Sequence, residues 1–138
     1  MDIQKLDHAL ALLVEKNHEL NALDYNDKNY DRVEEDLHDM EDDFLDEYGD
    51  FLEEVLRDVH DEYCPDSDVL LPIAYLAKQY QKTEKEDGSV HYDASVKEGV
   101  LVDADAYPDQ LCKLVLVPGP TRLILNIKNK EQKVVWTA

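Results

Sequence analysis

Positive charge is scarce in this chain, and the shortage is uneven. The 138 residues hold 14 Lys and Arg against 33 Asp and Glu, a formal net charge of −19. Residues 1–68 carry 24 of the acids and five of the bases, whereas residues 69–138 carry nine of each. The whole imbalance therefore lies in the first half. Phosphate contacts are made by Lys and Arg, so nucleic acid and anionic membrane surfaces are not expected as partners. A basic protein surface is.

Long apolar runs are missing too. None approaches the ~20 residues of a membrane-spanning helix. The opening MDIQKLDHAL lacks the basic-then-apolar build of a secretory leader. Two cysteines, Cys64 and Cys112, are too few for a disulfide framework, and reduced thiols in a cytoplasmic protein are the simplest expectation. With four glycines there is no P-loop, no G-x-G-x-x-G stretch and no G-x-S-x-G elbow. No cofactor is expected, and no catalytic residue is assigned.

What the chain does have is hydrophobic periodicity. Asp2–Leu23 reads as a helix with Leu6, Ala9, Leu10, Leu13 and Leu20 on one face. A polar connector from Asp24 leads to Asp31–Tyr63, the most conspicuous stretch of the sequence. There Val33, Leu37, Met40, Phe44, Tyr48, Phe51, Val55 and Val59 fall within about 100° of arc at 100° per residue. The opposite arc holds Glu35, Asp39, Asp42, Asp43, Asp46, Asp50 and Glu53, with Arg57. The stripe keeps its phase across Gly49, so one helix is predicted, ending at Cys64-Pro65. Like charges four residues apart, such as Asp42/Asp46, each cost a few tenths of a kcal/mol. Burial of the stripe must hold this helix.

From Val69 the period changes to two. Strands are predicted over Val69–Lys82, Val90–Val96, Val100–Ala104, Leu111–Val117, Thr121–Ile127 and Lys133–Thr137. The turns are Asp87-Gly88, Lys97-Glu98-Gly99, Pro118-Gly119-Pro120 and Asn129–Gln132. The expected architecture is α+β in a single domain, residues 1–138. An N-terminal antiparallel pair of helices, the second long and acidic, packs on a C-terminal antiparallel meander of five or six strands. Homodimerisation through a sheet edge is compatible with this plan.

Several chemistries fail on spacing. Glu15-x-x-His18 and Glu35-x-x-His38 match half of a di-iron helix motif. Glu15, however, lies about 180° from the first apolar stripe and Glu35 about 150° from the second, so both motifs would face water. Asp24–Glu35 fits a calcium-loop register only with Lys28 among the ligands and no glycine at the turn. No metal is expected. Cys112 with His91, and Asp103 with Asp105, carry no sign of activation. Tyr75, Tyr80, Tyr92 and Trp136 fall in predicted strands on what could be one side of a cupped sheet, where aromatics ordinarily pack the core with the hydroxyl reaching solvent or a backbone partner.

Two function classes follow. The first is an adaptor- or inhibitor-type interaction module that presents Glu35, Asp39, Asp42, Asp43, Asp46, Asp50 and Glu53 to a basic partner. The second is a ligand-binding or small enzymatic domain with a pocket between curved sheet and helices.

Overall fold

A computed structural model describes residues 1–138, and its architecture is the expected α+β arrangement. Helix α1 (Ile3–Asn21) begins at Asp2, whose carboxylate accepts the Lys5 N–H at 3.1 Å. That bond satisfies one of the amide donors a helix start leaves unpaired. Leu6, Leu10, Leu13 and Leu20 are buried along it. In the connector, Asp27 Oδ1 accepts the Asn29 N–H at 2.8 Å and turns the chain into the second helix.

Helix α2 (Tyr30–Tyr63) runs 34 residues without interruption, roughly 50 Å at the usual rise per residue. Gly49 does not break it, and a Cβ there would meet only the Leu45 side chain, at 3.7 Å. Val33, Leu37, Phe44, Tyr48, Leu52, Leu56 and Val59 are buried, as the stripe requires. Near its end His60 is 2% exposed. Its Nδ1 faces the Ser67 carbonyl at 2.9 Å and its Nε2 the Tyr75 hydroxyl at 2.9 Å, while that hydroxyl accepts the Leu70 N–H at 3.0 Å. A carbonyl only accepts, so the ring proton sits on Nδ1 and Tyr75 donates to Nε2. This chain of bonds straps residues 67–75 to the helix.

The sheet is where expectation and structure part. The strand predicted over Val69–Lys82 is for the most part not a strand. Pro72 opens a short 3₁₀ turn (Pro72–Tyr75), residue 76 makes one isolated parallel bridge to Leu116, and only Gln81–Glu84 (β1) joins a ladder. Pro72 fits the first position of such a turn because its missing N–H is not needed there. β1 pairs with β2 (Val90–Asp93) as a separate two-stranded hairpin. The main sheet has four antiparallel strands, in the order β3 (Val100–Val102), β4 (Cys112–Val117), β5 (Arg122–Ile127) and β6 (Glu131–Thr137). The single meander is thus two sheets, of two strands and of four. The break lies at residues 94–99, which cross the face of the main sheet instead of extending it.

Gly99 makes that crossing feasible. It sits at φ +120°, and a Cβ there would lie 2.7 Å from the Leu114 carbonyl oxygen. Strands β4 and β5 are covered on both faces. Leu114, Leu116, Leu123, Leu125 and Ile127 pack with the buried residues of the two helices. Val115, Val117 and Ile124 pack on the other side with Val14, Ala77, Tyr80, Tyr92 and Ala94. The free edge at β6 carries Glu131, Lys133 and a register shift opposite Leu123/Ile124, features that discourage edge-to-edge pairing. No helix is long and apolar enough to cross a membrane.

Candidate functional site

The acidic arc of α2 is placed as the phase calculation requires. Glu35, Asp39, Asp42, Asp43, Asp46 and Asp50 are all exposed, and Glu53 is half-buried. They form a surface ridge along the outward side of α2, opposite the stripe that faces the sheet. Helix α2 carries 16 Asp and Glu against two Arg. Only one of these carboxylates has a cationic partner: Glu53, with Arg57 at 3.8 Å. The geometry provides no cage for an ion. Nowhere do three His, Cys, Asp or Glu side chains converge as a metal site.

The other polar clusters are committed to holding the fold. Arg122 is 7% exposed. It donates to the carbonyls of Pro118 (3.0 Å), Pro120 (2.7 Å) and Tyr92 (2.6 Å), and it meets Asp93 at 3.2 Å. Burial lowers its affinity for a proton, and Asp93 and then Asp7 oppose that effect. Asp7 of α1 accepts from the Gly119 N–H at 2.8 Å and the Thr121 hydroxyl at 2.7 Å. Asn126 donates to the carbonyls of Ser95 and Glu98, and Gln132 donates to Ala94 O and Asn126 Oδ1. These bonds tie residues 92–98 across the sheet. Buried polar groups that are fully satisfied in this way fix an arrangement and leave nothing free to act on a ligand.

The Glu-x-x-His motif of α1 does not face water as its phase implied. Glu15 accepts from the Tyr92 hydroxyl at 2.7 Å and pairs with Lys82 at 3.1 Å, and His18 Nε2 accepts the Tyr80 N–H at 3.2 Å. The β1–β2 hairpin lies over this side of α1, and a single-helix phase argument cannot anticipate that cover. The Tyr92 hydrogen bond holds the Glu15 carboxyl below its ordinary value, and the same contact, after burial, raises the Tyr92 phenol. Tyr75 and Tyr80 are buried, and each hydroxyl is bonded within the chain. These aromatics pack the core, the ordinary role of such residues in a covered sheet. The two thiols are 1% exposed and free. Burial pushes Cys64 up to about 11 and raises Cys112, so neither is a ready nucleophile.

One feature was absent from the sequence reading. A cavity of about 570 Å³ opens between α1, α2 and the segment 73–79. Leu13, Leu37, Ile73, Leu76 and Ala77 form its apolar wall, and Asn17, Asn21, Glu41, Lys78 and Gln79 its polar one. Burial raises the Glu41 carboxyl above its ordinary value; His38 opposes the shift and Asp42 adds to it. Glu41 lies about 80° from Val33, at the margin of the apolar arc, but Asp58 and Glu62 share that arc and are exposed, so phase alone does not pick it out. No family model, curated protein or solved structure matches this chain.

Proposed function

We propose that the chain is a protein-interaction module, of adaptor or inhibitor type and acting in the cytoplasm, whose outward α2 face docks a basic partner protein. The observation that supports this reading is the unpaired state of the acidic ridge. Of the 16 carboxylates on α2, 15 have no cation within the chain. Repulsion along the ridge costs a few tenths of a kcal/mol per i,i+4 pair, and nothing inside the fold offsets it. A cationic surface would relieve that repulsion, speed encounter and select partners by sign. The same field repels phosphate-bearing polymers.

The space between α2 and the main sheet is filled by Phe44, Leu52, Leu56, Leu114, Leu123 and Leu125. A pocket there has no support, and any ligand reading moves to the cavity beside Glu41.

Affinity capture from native lysate, at low and at high salt, tests the proposal. Wild-type chain and an Asp39→Asn/Asp42→Asn/Asp46→Asn/Asp50→Asn variant serve as baits. Basic proteins held by the wild type at low salt and released by salt or by the variant are the expected result. Equal retention on both baits, or none on either, contradicts it.

A further inference from the structure

Large apolar side chains left in solvent are few in this chain, and half of them stand in one place. Of the ten that are exposed, Val69, Leu70, Leu71, Leu101 and Leu111 border one edge of the main sheet. Ser67 Oγ accepts the Asp103 N–H at 2.8 Å, just past β3, and residue 76 bridges to Leu116 further along β4. Residues 68–75 therefore pass along the outer side of β3, which ends the sheet and has no strand partner there. A groove of about 260 Å³ lies at the start of this passage, lined by Ser67, Leu101, Val102, Asp103, Gln110, Leu111 and Cys112, with no Lys or Arg among them. Single exposed leucines are ordinary, whereas an apolar patch with a polar rim marks an interaction surface.

The rim is acidic. Asp66, Asp68, Asp103 and Asp109 lie in or beside the lining, and all four are exposed. Residues 58–77 hold five acids and no Lys or Arg. Two bases adjoin the groove, Lys128 and Lys113, and the ammonium of Lys113 is bonded to the Lys97 carbonyl at 2.8 Å.

We propose that this edge docks an extended segment of a basic partner protein. Apolar side chains of the segment lie against Val69, Leu70, Leu71, Leu101 and Leu111, and its Lys or Arg side chains meet the four carboxylates. The inference rests on the reading of the chain as an interaction module and supplies what the α2 ridge lacks. Exposed ion pairs set rate and sign, whereas a lasting complex needs apolar anchors shielded from water. A groove of this size takes side chains of an extended segment and not a helix, roughly 10 Å across.

Titration of the full chain with the peptide acetyl-Lys-Val-Lys-Val-Lys-Val-amide at physiological salt, followed by backbone amide NMR, tests the proposal. Saturable shifts are expected at residues 67–71, Leu101 and Leu111. Leu70→Ser with Leu71→Ser should weaken binding by roughly tenfold or more, the scale of lost apolar anchors. The Leu70 N–H that bonds Tyr75 is a backbone group, so this variant keeps the strap, and its free spectrum reports that it is folded. A peptide with Ser in place of Val, and one with Glu in place of Lys, should each bind at least roughly tenfold more weakly. No saturable shifts, wild-type affinity in the Leu70/Leu71 variant, or equal binding of either control peptide overturns the proposal. Shifts confined to residues 39–50 overturn it too and leave the ridge reading standing. Peptide held at Val69–Leu71 with no salt-sensitive capture by the ridge removes the ridge and keeps this edge.

Discussion

The two halves of this molecule treat polar groups in opposite ways. In the sheet half, nine acids face nine bases, and the buried polar side chains Arg122, Asn126 and Thr121 are each bonded to identifiable backbone or side-chain partners. In the helical half, a ridge of carboxylates stands in solvent with one ion pair among them. The polar chemistry of the first is used up in holding residues 92–98 and the 118–121 turn in place. The ridge of the second does nothing for the fold and weakens the helix that carries it, although Asp7, Glu15, His18 and His60 of the same half do tie the helices to the sheet half. Losing the buried polar side chains of the sheet half should therefore destabilise, whereas neutralising the ridge carboxylates should stabilise.

The largest effect is expected where the two halves meet. Phe44 is 4% exposed and packs with Tyr48 at a ring separation of 5.3 Å. Phe44→Asp removes a buried ring and buries a carboxylate, costing more than about 5 kcal/mol, which exceeds the margin of many domains. Circular dichroism should show an unfolded chain. Phe51, half-buried beside Trp136 at 6.2 Å, should lose less on the same change. Next comes Arg122→Met. It strands the Tyr92, Pro118 and Pro120 carbonyls and should cost about 3 kcal/mol or more in urea unfolding. If Arg122→Met unfolds at the wild-type urea midpoint, the buried ties do not hold the strap.

On the helical side the sign reverses. Gly49→Ala places a methyl in open contact with Leu45 and should stabilise by up to about 1 kcal/mol, raising the melting temperature. Asp42→Asn with Asp46→Asn should stabilise by a few tenths of a kcal/mol per relieved pair, and the gain should shrink as salt screens the repulsion.

The smallest effect belongs to Glu41→Gln. Burial raises the carboxyl in the folded chain, so the fold disfavours the charged form. The penalty is fully present above the folded value and absent below the unfolded one. The variant should be slightly more stable than wild type at pH 7, and the difference should vanish as pH falls through the carboxylate range. A lower melting temperature at pH 7 would show that Glu41 has a stabilising partner.

The sequence revealed most where periodicity was long and uninterrupted. Helix α2 was predicted over Asp31–Tyr63 and found over Tyr30–Tyr63, because eight apolar positions in phase leave little choice. Strands Leu111–Val117 and Thr121–Ile127 were likewise legible from composition and the intervening turn. Val69–Lys82 was misread because apolar residues of an extended segment alternate whether they meet a ladder or a helix. Its true partners, His60 and Leu116, are distant in sequence. The crossing at residues 94–99 depends on Asn126, Gln132 and the close approach at Gly99, none of which has a local signature. The acidic arc was visible residue by residue. Glu41 was hidden among 15 other carboxylates, and phase alone does not single it out, because Asp58 and Glu62 fall in the same arc.

Charge on the α2 ridge either serves a partner or serves only solvation, and one comparison separates these directly. The Asp39→Asn/Asp42→Asn/Asp46→Asn/Asp50→Asn chain and the wild type are compared side by side for melting temperature and for low-salt capture of basic proteins. The docking account predicts a variant that melts higher yet retains none of the salt-sensitive partners of the wild type. A variant that melts higher and retains the same proteins, or a wild type that captures nothing, would contradict it.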